Sequence, residues 1–399
     1  KYDKSFFRGL MLLITSILCF FCSFSFFPKM QPTVYLSWEN DPATSMIIHW
    51  YTEDKEETKI KYRKQGENTW SYKEGTYIYL GYLPLRVHSL ELFDLEPNTE
   101  YEFGLSGNKV YRFRTLAADV PLVFAVGGDV YCYLDLMRKM AAQIAVRSPD
   151  FVVVGGDIAY TRGTKQLFKQ KGWQEKRWIT FFNTWSETMK TLDGRLIPII
   201  GLLGNHDVER IGLEEEEIAY KFLPEIRSFK VIDIGSLSLF LLDTGHQYRV
   251  KAQEKWLEKE LEKREKNSYK MAVYHISGYP SVYSEEGITP TRVREYWHPH
   301  FDRYHLQIAF ENHNHAYKRT YPLKNGKYHP EGVIYMGDGS WGVRTRTPRK
   351  KWYLEKIAKV NSVCLVQIDQ EKAVVEAIDI KGRVIDSVTI MPQGAGSAP

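Results

Sequence analysis

The stretch Phe151-Val152-Val153-Val154-Gly155-Gly156-Asp157-Ile158-Ala159-Tyr160 sets the reading of the whole chain. Four apolar residues with no polar alternation describe a strand buried on both faces, the mark of a layered α/β sheet. Strand-end glycines let the backbone turn tightly and leave room beside it, and an aspartate and a tyrosine follow. The same order recurs outward in both directions. Leu122–Val126 runs into Gly127-Gly128-Asp129, and Leu196–Gly201 leads to Gly204-Asn205-His206-Asp207. Met271–Tyr274 ends at His275, Asn312-His313-Asn314-His315 forms a fifth polar cluster, and Ser238–Leu242 is a further buried strand. Ligands of α/β folds sit at strand ends, so the clusters together predict one site.

The donor types specify the chemistry. Asp129, Asp157, Tyr160, Asn205, His275, His313 and His315 offer oxygen and nitrogen, and no cysteine joins them. That mixture suits iron, zinc or manganese and excludes an iron–sulfur cluster or a cysteine-rich structural zinc. Seven donors complete the protein share of two sites if one carboxylate bridges. In an extended segment His313 and His315 place both rings on one side. Each cluster alone has a structural explanation: a strand-end aspartate caps a helix, Asn205-His206-Asp207 makes a turn, His275 is a core histidine. Five such coincidences in order are hard to sustain.

With these residues in view, the sequence resembles the purple acid phosphatases, a branch of the calcineurin-like metallophosphoesterases, over nearly the whole chain after its first thirty residues. The family motifs run GDxG, GDxxY, GNHD or GNHE, VxxH and GHxH. Gly128-Asp129, Gly156-Asp157-Ile158-Ala159-Tyr160, Gly204-Asn205-His206-Asp207, His275 and His313-Asn314-His315 correspond. The resemblance implies ferric iron held by Asp129, Asp157, Tyr160 and His315, and a second divalent metal (Fe, Zn or Mn) held by Asp157 as bridge, Asn205, His275 and His313. A metal-bound hydroxide would attack a small phosphorylated substrate. His206 would contact the phosphate or protonate the leaving alkoxide, and Asp207 would orient its imidazole. The chain departs from the pattern at Tyr131 and Asn312, where the family has glycine, at Ala272 for valine, and at Lys318 for glutamate. The last adds positive charge near the site. No histidine follows between Ser277 and Pro290, where plant members often carry them.

Upstream, Val34 to about Thr115 alternates apolar and polar residues in short runs broken by turns, which predicts roughly seven strands of a fibronectin type III-like sandwich. Downstream, Trp178, Phe181, Phe182, Trp185 and Met189 form a helical core stripe, Ala252–Asn267 an amphipathic surface helix, and Ser362–Ile390 alternating strands. The expected fold is therefore an all-β sandwich over residues 31–116 followed by an α/β four-layer metallophosphoesterase sandwich over 121–392. A flexible tail covers 393–399. Residues 1–30, with Lys1 and Lys4 ahead of the apolar run Phe6–Phe27, which Arg8 interrupts, are expected to be a signal peptide or an uncleaved signal-anchor, giving an exported protein whose membrane contact is confined to that segment.

Composition agrees with this division. The 399 residues carry a net charge of +5, of which the first thirty supply +3; the sandwich is −3, with 10 basic and 13 acidic residues. No long basic face remains to bind nucleic acid. Arg162, Lys165, Lys169, Lys171, Lys176 and Arg177 make a basic stretch that reads as a solvated loop before it reads as a substrate funnel. Cys132 and Cys364 exclude a disulfide framework. Three functions follow: a phosphomonoesterase, a phosphodiesterase or nucleotidase on the same metals, and a cell-surface binding protein on a degenerate phosphatase scaffold.

Overall fold

The computed structural model describes residues 32–53, 57–162, 172–208, 217–227 and 229–393. Residues 1–30, expected to be a signal peptide or signal-anchor, and the expected tail beyond residue 393 lie outside these. Among the described residues no helix is long and apolar enough to cross a membrane.

Thr33 to Arg114 form two four-stranded antiparallel sheets. One has the order Thr33–Ser37, Met46–Thr52, Arg86–Leu92, Thr76–Tyr79; the other Ser71–Glu74, Lys59–Lys64, Glu100–Gly104, Val110–Arg114. The alternation sends Val34, Leu36, Met46, Ile48 and Trp50 into the space between the sheets. Its opposite phase is buried too, because Tyr35 and Tyr51 face the second domain, where Tyr35 stacks on Phe182 with ring centroids 3.6 Å apart. Thr33–Ser37 is consequently buried at every position. The strands Ser71–Glu74 and Thr76–Tyr79 escape the sequence pattern because their side chains are largely exposed and nothing selects an alternation.

Beyond Leu122 two mixed sheets face each other. The first has the order Ile199–Gly201, Phe151–Val154, Leu122–Gly127, Ser362–Ile368, Ala373–Asp379, Val384–Ile390, and its first three strands are parallel. The second has the order Lys230–Ile234, Leu237–Leu241, Tyr269–Ile276, Ile308–Asn312, Ile334–Gly337, Tyr317–Thr320, Leu354–Ala358, parallel from Leu237–Leu241 through Ile334–Gly337. Phe124, Val126, Val153, Leu239, Met271, Val273 and Phe310 fill the space between them. Helices Leu134–Ala145 and Trp173–Thr188 cover the outside of the first sheet, and Trp178, Phe181, Phe182, Trp185 and Met189 are all buried there. Glu254–Lys263 and Ile288–Tyr296 cover the second. Helix, sheet, sheet, helix is the four-layer arrangement expected. Pro198 precedes the third parallel strand, which is shorter than its apolar run. Cys132 and Cys364 are free thiols.

Candidate metal centre

The parallel strands of both sheets end on one side, and the loops that follow converge. The local backbone is bent to aim the donors: Asp129, Asp157, Tyr160, His313 and His315 all have left-handed φ, between 51° and 84°, which side chains other than glycine rarely adopt. Such strain collects where the surrounding structure dictates the geometry. The loops also approach closely. A Cβ on Gly204 would lie 2.1 Å from Asp157 Oδ1, and one on Gly339 would lie 1.9 Å from Asp129 Oδ2.

Two donor groups result. In the first, the Tyr160 hydroxyl lies 2.8 Å from Asp129 Oδ1 and 3.1 Å from His315 Nε2, and His315 Nε2 is 2.8 Å from the same Asp129 oxygen. In the second, His275 Nε2 faces Asn205 Oδ1 at 3.1 Å, His313 Nδ1 at 3.3 Å and Asp157 Oδ2 at 3.4 Å. Among the described residues, Asp157, His275 and His313 are the one trio of histidine or carboxylate side chains whose donor atoms all lie within 4.8 Å of one another. Asp157 Oδ1 accepts from the His206 amide at 2.7 Å, while Oδ2, fully buried, has no hydrogen-bond partner. The far side of His275 is fixed by its Nδ1–H, which donates to the Gly155 carbonyl at 2.9 Å and leaves Nε2 for the site.

The electrostatics follow from this crowding. Burial disfavours an ionised Asp157, but the neighbouring His275 and His206 outweigh it and hold the carboxyl below the usual range. Burial likewise disfavours a charged His275, yet Asp157 raises its pKa to about 9. Burial and the charge on His275 push His313 down to about 3. Burial and the charges of Asp129 and Asp157 push the Tyr160 phenol far upward. A proton on His275 thus does what a cation would do, and the unpartnered Asp157 oxygen completes a donor set that fits metal ions.

The segment His313–His315 is not extended. With left-handed φ at both histidines, His313 joins the second group and His315 the first. Between them Asn314 anchors the turn, accepting from the amides of Val282 and Tyr283, each at 3.0 Å. Asp207 does not orient His206. It is fully buried and accepts from the amides of Ile158, Ala159 and Gly204 at 2.9 to 3.2 Å, tying the Asp157 loop to the Asn205 loop. Burial and the charge on Asp157 raise its pKa to about 7. The His206 ring is oriented instead by the Arg162 carbonyl, 2.6 Å from Nδ1, and by stacking on Tyr160.

The departures from the motif pattern are accommodated. Tyr131 lies against the Arg177 guanidinium, 3.6 Å from its ring centroid, and Asp129 and Tyr160 still meet. Asn312 occupies the space over Gly128 and Gly155, where a Cβ would come within 2.7 and 2.1 Å of its side chain. Lys318 brings no free charge to the site: fully buried, it pairs with Glu311 and donates to the Tyr279 carbonyl. Arg162 faces Glu217 at 3.4 Å and Arg177 bonds the Ala159 and Tyr131 carbonyls; Lys165, Lys169 and Lys171 lie outside the described residues. The sequence reading missed His246, buried edge-on to His275 with centroids 5.5 Å apart. Its signal was available, since Asp243-Thr244-Gly245-His246 follows the apolar strand Leu237–Leu241 as the other clusters follow theirs. It also missed Arg344 and Arg346, which line a cleft of about 520 Å³ beside Tyr160, His206 and His315.

Comparison with known proteins gives a consistent picture. Residues 32–115 match the model of the purple acid phosphatase N-terminal domain, and residues 122–317 that of the calcineurin-like phosphoesterases. Purple acid phosphatase 18 of Arabidopsis thaliana is 24% identical over 86% of this chain and 83% of its own length. The Fe(3+)-Zn(2+) purple acid phosphatase 12 of the same plant is 25% identical over 75% of this chain and 67% of its own. A purple acid phosphatase from yellow lupin seeds shares the fold with a TM-score of 0.75 at 16% identity, covering 90% of this chain and 74% of that one.

Proposed function

We propose that this chain, which belongs to the calcineurin-like phosphoesterases and carries the purple acid phosphatase N-terminal domain, hydrolyses phosphate monoesters of small molecules at a centre of two metals. The observation that carries the reading is the convergence of seven ligand-type side chains into two groups, with a buried Asp157 oxygen that no protein donor satisfies. Asp129, Tyr160 and His315, with Asp157, would hold ferric iron; Asn205, His275 and His313, sharing Asp157, would hold a divalent ion. The Fe(3+)-Zn(2+) relative supports that pairing. Two adjacent cations supply Lewis acidity that ionises a water near neutral pH and offset charge on the phosphoryl oxygens.

The protein's share is orientation and proton handling. The Gly155 carbonyl fixes the His275 tautomer, and Asp207 holds the loops of Asp157 and Asn205 together. The Arg162 carbonyl accepts from His206 Nδ1–H, which turns Nε2 toward the site, 3.9 Å from Asp157 Oδ2. From there Nε2 contacts the phosphate or delivers a proton to the leaving alkoxide. Purified protein is expected to hydrolyse a chromogenic aryl phosphate, with Asn205→Ala and His275→Ala each lowering kcat/KM by about a thousandfold, the scale of several kcal/mol of charge stabilisation. Full activity in both variants refutes the assignment. A higher rate on a diester than on the matching monoester transfers the site to phosphodiesters.

A further inference from the structure

Beside the donor groups, the segment Trp341–Arg346 forms one wall of the cleft, and its backbone is fastened to the centre. The Trp341 amide donates to the Gly128 carbonyl at 3.2 Å, the Gly342 amide to the Asp129 carbonyl at 2.9 Å, and the Arg346 amide to the His315 carbonyl at 2.8 Å. Its side chains are therefore rooted at fixed points relative to the centre. Two of them, Arg344 and Arg346, reach the cleft along with Arg162 and Arg177.

The four guanidinium groups are not equivalent. Arg162 faces the Glu217 carboxylate, and Arg177 is spent on the carbonyls of Ala159 and Tyr131. Among the described residues, neither Arg344 nor Arg346 pairs with a carboxylate. Arg344 lies 5.0 Å from the Tyr133 ring centroid, and Arg346 lies 5.1 Å from that of Tyr283, with one nitrogen 3.5 Å from the His313 carbonyl, at the weak limit of a hydrogen bond. Aromatic faces hold a guanidinium in place without neutralising it. Two such planar cations bind phosphate through paired N–H donors. A cleft of about 520 Å³ also holds far more than the phosphoryl group to be cleaved.

We infer that Arg344 and Arg346 form a subsite for a second phosphate, so that the preferred substrates are small molecules carrying two phosphate groups. The inference rests on the monoesterase reading above and adds a specificity to it. No arginine is needed for the bond cleavage itself, so the pair acts in binding and is expected to show in KM.

The test uses the full metal-loaded chain, with phosphate release measured from glucose 1,6-bisphosphate and from glucose 6-phosphate. The wild type is expected to favour the bisphosphate at least tenfold in kcat/KM, with most of the difference in KM. Arg344→Gln/Arg346→Gln is expected to bring that ratio close to one. Arg346→Lys, which keeps the charge and loses the paired donors, should fall between. A wild-type ratio near one, or a ratio unmoved in the double variant, overturns the subsite while leaving the monoesterase reading intact. A wild type that cleaves neither sugar phosphate nor an aryl phosphate overturns the monoesterase reading, and the subsite with it.

Discussion

Glu311 and Lys318 flank the turn that carries His313 and His315, and the two buried polar clusters on either side of that turn are neutralised in opposite ways. Behind the turn, Glu311 accepts from the Tyr274 hydroxyl at 2.7 Å, from the amides of Gly278 and Tyr279, and from the Lys318 ammonium. Every charge there has a partner from the protein. In front of the turn, Asp129 and Asp157 meet only neutral or titrating partners, and one Asp157 oxygen has no donor. The first cluster is closed and structural; the second is complete only with cations. An unpartnered oxygen alone does not make the difference, since Glu225 has one too, in a buried cluster with Ser37 and His49. What distinguishes the centre is the convergence of several metal-type donors on the same point.

The closed cluster offers the largest effect on stability. Lys318→Met leaves Glu311 buried without its cation and is expected to cost about 3–5 kcal/mol in chemical denaturation, whereas Lys318→Met/Glu311→Gln should recover much of that. A single variant as stable as the wild type would show that Glu311 needs no internal cation, and the contrast between the clusters would fail. Asp207→Asn ranks next. It sets an amide group against amides of Ile158, Ala159 and Gly204 and is expected to lower stability by about 1–3 kcal/mol. Because Asp207 ties the two donor loops together, metal affinity should fall with it, and unchanged affinity would reduce the residue to a loop brace.

The Glu225 cluster gives the smallest effect, and it is confined in pH. Burial works against the Glu225 carboxylate, but His49 and Ser37 outweigh it and hold its pKa below the ordinary value. A depressed carboxyl pKa stabilises the fold above the unfolded value of about 4.3 and is lost as pH falls through the folded value. Thermal melts of the wild type should therefore weaken on acidification through that window, and Glu225→Gln should show a flatter profile there. Parallel profiles would mean that this joint between the sandwich and the catalytic sheets is indifferent to its charge.

The sequence made these donors visible because they are announced locally: a run of apolar residues and a glycine before Asp129, Asp157 and Asn205, and an apolar run alone before His275. The layered sheets were legible for the same reason, since strands buried on both faces need no polar alternation. Roles that depend on distant partners were not. Asp207 sits next to His206 in sequence, yet its hydrogen bonds reach across to the Ile158 loop and leave the ring alone. Lys318 reads as added charge near the site until its pairing with Glu311 is seen. Arg344 and Arg346 follow no strand and carry no spacing signal; only the fold of Trp341–Arg346 against His315 brings them to the cleft. The exposed strands Ser71–Glu74 and Thr76–Tyr79 left no periodic trace because neither face is buried.

Metal content tests the central claim most directly. Elemental analysis of purified, metal-supplemented protein should find about two metal ions per chain, as expected of a two-metal centre, one of them iron, together with a visible absorption band that Tyr160→Phe abolishes. Protein that binds no iron, zinc or manganese would contradict the account, since the seven donors would then be a buried polar cluster closed on itself.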